Sequence, residues 1–192
     1  MTPTDTLMSE EEYLVREPEA EYKSEFRDGR VVAMAGASLA HSRITVNLTR
    51  ILGNQLQGST CLPYSSDIRI KVPAARFYTY PDLSVVCGNP EVDPREPGTV
   101  TNPTVLVEVL SPSTAAYDRG QKFAYYKRLD SLREYVLVAQ SAVRVERFVR
   151  QDDGSWVEAV LQSIEDVLAL SSIGCRVALR DIYERVAFGS SA

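Results

Sequence analysis

Histidine is nearly missing from this sequence: His41 is the single one among 192 residues. A multi-histidine metal site is thereby excluded, and a serine–histidine–acid triad would have to rest on that one ring. Cysteine is scarce as well. Cys61, Cys87 and Cys175 are odd in number, far apart and without a CxxC. That argues against a disulfide framework or a thiolate zinc site, and predicts a reducing, cytoplasmic setting. No apolar run approaches the ~20 residues that span a bilayer. The opening MTPTDTLMSEEEYL has neither the basic start nor the apolar stretch of a signal peptide, so no membrane partner is expected. There is no GxxxxGK[ST] phosphate loop, no GxGxxG opening a helix after a strand and no GxSxG elbow.

What is present reads as an ordinary soluble globular chain, with 44% hydrophobic and 24% charged residues. The length predicts a single domain over residues 1–192. The net charge of −5 is uneven. Residues 1–25 hold eight acids and two bases, while the remainder is almost neutral. A basic nucleic-acid-binding face is therefore not announced by composition. Basic residues are mostly arginine, 17 against four lysines, so the positions of Lys23, Lys71, Lys122 and Lys127 carry information.

Ser9-Glu10-Glu11-Glu12 fits a capping box for a short helix running to about Glu17. Tyr22 to Met34 reads as a hairpin around Asp28-Gly29. Ser38 offers a cap for a long helix from Leu39 to Leu56, where Ile44, Leu48, Ile51, Leu52 and Leu56 recur at helical spacing. Strands are predicted around Ile68–Val72 and Asp82–Val86. Residues 88–103, rich in glycine and proline, read as a loop. Val105 to Leu110 (VLVEVL) reads as a strand covered on both faces. A helix from Ser111 to about Leu129, strands at Tyr135–Val138, Val143–Val149 and Ser155–Val160, and a closing helix at Leu179–Val186 complete the pattern. It predicts an α/β or α+β fold on a mixed sheet.

The chemistry rests on acids placed where acids are costly. Glu108 lies inside VLVEVL, where an ionised carboxylate needs a partner, a metal or a raised pKa. Asp82 opens another apolar strand directly after Pro81. On neighbouring strands the two carboxylates would lie close together and would call for a divalent cation. Oxygen donors suit Mg²⁺, which can activate water and stabilise phosphoryl charge. The alternative is two separate strand-end acids. Asp118, Lys122 and Tyr126, spaced i, i+4 and i+8, share a helix face. Asp before Lys at that spacing is also an ordinary surface pair worth ~0.2–0.5 kcal/mol.

Three segments carry a resemblance. Tyr80-Pro81-Asp82-Leu83-Ser84-Val85-Val86, Val107-Glu108-Val109-Leu110-Ser111-Pro112-Ser113-Thr114 and Asp118-Arg119-Gly120-Gln121-Lys122-Phe123 are similar to the bacterial Uma-type "putative restriction endonuclease" family. That family is a domain-of-unknown-function group within the PD-(D/E)XK nuclease superfamily. The resemblance extends from about Ser9 to Val186. It implies a restriction-endonuclease-like fold, a central mixed sheet flanked by helices, with a divalent-metal nuclease site. By position it implies Asp82 and Glu108 as metal ligands, Glu25 as an upstream acid and the Val109 carbonyl as a backbone ligand. The superfamily pattern has lysine where this chain has Leu110, and the resemblance implies that Lys122 replaces it. Asp118 and Tyr126 would support the site, and His41, in AHSRITVNL, would contact substrate phosphate or an active-site acid.

The expectation is thus a Mg²⁺-dependent endonuclease, with Mn²⁺ as a second usable ion, acting on DNA and forming a homodimer. The rival is a catalytically silent binding or assembly module on the same fold. A two-carboxylate glycosidase could use the same acids, but the lone Trp156 offers little sugar-stacking surface.

Overall fold

The computed structural model of the chain describes residues 6–34 and 36–188 and is mixed α+β. It opens with strand β1 (Thr6–Leu7) and helix α1 (Glu10–Arg16). The predicted capping box forms: the Ser9 hydroxyl accepts from the Glu12 N–H, and the Glu12 carboxylate accepts from the Ser9 N–H. Strands β2 (Ser24–Arg27) and β3 (Arg30–Ala33) make the predicted hairpin. Its turn residues Asp28 and Gly29 have φ of 46° and 95°, the left-handed pair that a tight hairpin of matching twist requires. Helix α2 (Leu39–Gln55) starts at Ser38, whose side chain accepts from the His41 N–H. It buries Ile44, Leu48 and Leu52, the stripe its spacing predicts.

Seven strands follow: β4 (Cys61–Ser65), β5 (Arg69–Val72), β6 (Phe77–Thr79), β7 (Leu83–Cys87), β8 (Val92–Asp93), β9 (Glu96–Val100) and β10 (Val105–Leu110). Helix α3 joins an α turn (Ala115–Tyr117), a π turn (Asp118–Lys122) and a second α turn (Phe123–Tyr126). The chain continues through β11 (Glu134–Ala139), β12 (Val145–Arg150), β13 (Trp156–Leu161), β14 (Val167–Leu170), β15 (Cys175–Ala178) and α4 (Leu179–Ile182).

Two large sheets result. One runs β1-β3-β2-β6-β5-β9-β8, the other β13-β12-β11-β10-β7-β4, and β14 pairs with β15. In the six-stranded sheet β10 and β11 are parallel and the other neighbours antiparallel. All six residues of β10 are buried, as a near-continuous apolar run predicts. Val105, Val107 and Val109 pack toward α2, β15 and α4. Leu106 and Leu110 pack toward α3 and the first sheet. Glu108 alternates with those two leucines, so it points under α3. The chain crosses from the first sheet to the second at Tyr80–Asp82, between β6 and β7, and this crossing sets the position of the site.

Several element boundaries differ from expectation. The predicted loop 88–103 contains β8 and β9. Pro97 is tolerated there because the register Arg69↔Thr99, Ile70↔Val100 and Asp93↔Glu96 leaves it without a ladder partner. The closing helix stops at Ile182, and Arg185 has a φ of 57°, which no helix can continue through. Strands β14 and β15 were not predicted.

The cysteine reading is corrected. Cys61 and Cys87 form a disulfide, with only Cys175 free. Sequence separation misled: the antiparallel register of β4 and β7 sets Cys61 directly opposite Cys87. The argument from cysteine count to a reducing compartment falls with it. Closing a loop of 26 residues' separation should contribute ~3 kcal/mol through the unfolded chain. Cys61→Ala/Cys87→Ala should therefore melt several degrees lower than the oxidised protein, and reductant should lower the wild type's melting temperature to match. Among the described residues no helix is long and apolar enough to cross a membrane.

Candidate active site

Four elements deliver the site. Glu25 comes from β2, Asp82 from the sheet crossing, Glu108 from β10, and Asp118, Lys122 and Tyr126 from α3. The β7–β10 register ends at Leu83↔Val107, and one further step sets Asp82 beside Glu108. Strand pairing, rather than sequence proximity, brings the two acids together.

Lys122 is the hub. Its Nζ lies 2.8 Å from Glu108 Oε1, 3.0 Å from Glu25 Oε1 and 3.8 Å from Asp118 Oδ1. Glu25, Glu108, Asp118 and Lys122 are each only 3–5% exposed, so these pairs act with little solvent screening. The π turn of α3 runs from Asp118 to Lys122 and aims both inward; such turns recur at functional sites because they rotate side chains off the regular helical face. The Tyr126 hydroxyl donates to Glu108 Oε1 at 2.7 Å.

Glu25 is the most heavily held. Thr79 Oγ1 donates to its Oε1, and Tyr117 OH and the Arg27 guanidinium donate to its Oε2, at 2.6–2.9 Å for Thr79, Tyr117 and Arg27 Nε. The guanidinium carbon of Arg27 sits over the Tyr117 ring, 3.7 Å from its centroid. Sequence reasoning missed Thr79, Tyr117 and Arg27. Arg27 was within reach of it, since positions 25 and 27 of one strand must share a face. Thr79 and Tyr117 carry no such signal.

Asp82 occupies the more open end. Its Oδ2 accepts from the Val109 N–H at 2.7 Å and lies 3.2 Å from His41 Nε2. The side chains of His41 and Asp82 are 16% and 18% exposed, so this is the side from which a substrate can approach. His41 also bonds the Val109 backbone. Gln140, at the end of β11, meets Ser38, the α2 cap, and so braces the helix start that carries His41.

The environments push the acids apart. At Glu25, burial opposes ionisation, but Lys122, Arg27 and Thr79 outweigh it and hold the carboxyl down at about 2. At Glu108, burial and the neighbouring Asp82 and Asp118 outweigh Lys122 and raise the carboxyl to about 8. Asp118 is raised for the same first reason, burial. Lys122 is raised despite burial because Glu108, Glu25 and Asp118 surround it. His41 is raised despite burial by its bond to Asp82. The cluster thus sets four carboxyls against Lys122, Arg27 and His41, and at Glu108 burial and the like charges of Asp82 and Asp118 favour the protonated form. Two carboxyls with opposed shifts are the arrangement that divides proton-holding from charge-holding roles.

The donors at this end of the site are oxygen: the Asp82 and Glu108 carboxylates, and the Val109 carbonyl, to which His41 already donates. They include no thiolate and only one imidazole, which fits Mg²⁺ better than zinc. Among the described residues no three His, Cys, Asp or Glu side chains converge into a ready cage. Mg²⁺ does not need one, since it is held through one or two carboxylates with water and substrate phosphate completing its shell.

The fold matches a solved crystal structure described as a putative nuclease belonging to DUF820 from Anabaena variabilis. The TM-score is 0.77 at 14% identity, over 94% of this chain and 99% of that one. That likeness establishes the fold: the two chains share one mixed α+β architecture along nearly their whole length. The chain belongs to the Uma2 family, described as "Putative restriction endonuclease", which it matches over residues 10–179. Two Synechocystis sp. proteins are similar along nearly their whole length. The protein slr1290 is 41% identical over 184 residues, 94% of each chain. The protein sll1609 is 37% identical over 154 residues, 80% of this chain and 87% of that one.

Proposed function

We propose that this chain is a Mg²⁺-dependent endonuclease that hydrolyses DNA phosphodiester bonds, with Asp82 and Glu108 as the metal-holding carboxylates. The observation that carries the reading is the buried contact of Lys122 with both Glu108 and Glu25, beside Asp82, in a chain of this family. Bound there, a divalent ion would supply Lewis-acid polarisation of the phosphoryl group and a more acidic water.

The chain's own residues do the rest. Lys122 offers the ammonium that orients a nucleophilic water or meets charge developing on the phosphate, in place of the lysine that Leu110 lacks. Tyr126 fixes the Glu108 carboxyl through Oε1. Glu25, locked by Thr79, Tyr117 and Arg27, keeps Lys122 charged and in position. His41 and the Val109 N–H fix Asp82. For the homodimer, β13 would offer an edge strand of the six-stranded sheet, with Val157 and Val160 exposed on its two opposite faces.

The test is cleavage of supercoiled plasmid with Mg²⁺, Mn²⁺ or EDTA by the wild type and Asp82→Ala. Nicking is expected with either ion, none in EDTA and none from the variant. Millimolar metal should also raise the wild type's melting temperature, because a ligand of the native state stabilises it. A well-folded wild type that cuts nothing and shows no shift in metal would favour the silent binding module. One observation speaks for that module: Lys122 already pairs with Glu108, one of the two carboxylates that a metal would use.

A further inference from the structure

One row of residues runs across three strands beneath α3. The parallel register sets Glu108 on β10 beside Leu137 on β11, and the antiparallel register sets Leu137 beside Glu146 on β12. Residues in register across a sheet point to one face, so Glu108 and Glu146 both face the helix with Leu137 between them. Glu146, like Glu108, is buried. Each acid of such a row needs a cation.

Both draw one from the same π turn. Lys122 reaches Glu108. Arg119 grips Glu146: its Nε donates to Oε2 and its Nη2 to Oε1, each at 2.9 Å, a two-pronged match of guanidinium to carboxylate. The Arg119 bonds hold the Glu146 carboxyl below its usual range. The other bonds of the pair are from Arg144 Nε to Glu146 Oε1 at 2.8 Å and from Arg119 Nη1 to the Ala115 carbonyl.

The winding of α3 makes this double engagement feasible. In a regular helix residues three apart lie nearly one above the other, which would bring both cations down on one side. The wider π turn over Asp118–Lys122 swings them apart, so that they meet acids two strands apart. Gly120 stands inside that turn, and glycine favours helix least of all residues but proline. The turn is instead tied to the sheet from outside: Arg119 is held by Glu146, and the Asp118 carbonyl accepts from the Tyr135 hydroxyl at 3.1 Å.

We infer that Glu146 is a positioning residue: through Arg119 it fixes the π turn, and so the place of the Lys122 ammonium between Glu108 and Glu25. The inference rests on the nuclease reading, in which that ammonium acts on the water or the phosphate.

The experiment compares wild type with Glu146→Leu, Arg119→Met, the double variant and Arg144→Met, each verified as folded by melting. Its first readout needs no activity. Lysines are methylated with formaldehyde and a borane reductant, and peptide mass mapping follows the four of them separately. Lys122, only 3% exposed, should resist in the wild type and in Arg144→Met, since Arg144 bonds Glu146 and not the helix. In Glu146→Leu and Arg119→Met it should react several-fold faster through local opening, while Lys127, exposed just past the helix end, keeps its rate. The second readout is plasmid nicking against Mg²⁺ concentration. The same two variants should lose ~10–10²-fold in maximal rate, and the double variant no more than either alone. Their half-saturating Mg²⁺ concentration should be unchanged or lower, because Asp82 and Glu108 stay in place and Lys122 competes less for Glu108. A raised Mg²⁺ requirement would mean general loosening of the site and would overturn the inference. So would Lys122 protected in both variants, or exposed equally by Arg144→Met. Nicking with Lys122 protected in both variants removes the positioning role and leaves the nuclease. Lys122 exposed in both, in a protein whose wild type nicks with neither metal, keeps the Glu146–Arg119 hold on the turn and removes the nuclease.

Discussion

Glu108→Gln should lower plasmid nicking by at least ~10²-fold and at the same time raise the melting temperature at neutral and alkaline pH. The second effect follows from where the proton sits. In the folded chain Glu108 releases its proton at about 8, whereas in the unfolded chain a glutamate does so near ~4.3. Between those values the folded state binds more protons, so stability falls as pH rises. The slope approaches at most ~1.4 kcal/mol per pH unit, or roughly 3–5 °C for a chain of this size. Glutamine keeps the shape, can still accept from Lys122 and Tyr126, and cannot ionise, so that part of the slope should vanish. Melting curves of both proteins from pH 5 to pH 8.5 read this directly: close together at the acid end, separated at the alkaline end. With millimolar Mg²⁺ the wild type should recover stability and the variant should not, because the carboxylate is what the ion binds. Parallel curves across the whole range would mean that Glu108 is already ionised in the folded chain.

The same residue shows what a sequence can and cannot disclose. A single acid in VLVEVL is visible because burial of a charge is costly wherever the strand lies. Its neighbour Asp82 is visible because Pro81 marks a strand entrance. Their adjacency depends on which strands pair, and a period of two along one strand carries no information about its neighbour. Cys61 and Cys87 were misread for that reason: 26 positions apart in sequence, they are opposite each other in the β4–β7 ladder. Local signals fared better. The Ser9–Glu12 capping box, the Asp28-Gly29 turn and the Ser38 cap each depend on four or five consecutive residues, and all three formed. The grip on Glu25 was partly legible, through Arg27 two positions on, and partly not. Thr79 and Tyr117 reach it from another strand and from a helix, and their types alone point to nothing.

The spacing of Asp118, Lys122 and Tyr126 is a further case in which geometry overrode the ordinary reading. An i, i+4 acid–base pair on a solvated helix is a minor stabiliser, and Asp118 and Lys122 are 3.8 Å apart in that sense. Burial changes its meaning. Lys122 makes closer contacts with Glu25 and Glu108 than with its helix partner, so the pair belongs to the site.

Lys122→Met should therefore be the most damaging single change in the cluster. It removes the ammonium from among Glu25, Glu108 and Asp118 and leaves buried carboxylates without their counter-ion, a loss of ~3–5 kcal/mol for breaking a buried pair. The sign of its pH dependence is fixed by the same charges. Without Lys122 the carboxyls take up protons more readily, and the damage should ease toward acid pH and grow toward alkaline pH. Nicking should be abolished throughout. Because instability alone could silence activity, the informative protein is Lys122→Met/Glu108→Gln. Removing the excess negative charge as well should restore a large part of the lost stability, giving a coupling of ~1–3 kcal/mol in a double-mutant cycle read from denaturant unfolding. Activity should stay absent, since both the metal-holding carboxylate and the water-orienting cation are gone. Additive effects of the two changes in the double variant would separate Lys122 from Glu108 energetically. The contact between them would then be packing, and the nuclease reading would lose the observation on which it stands.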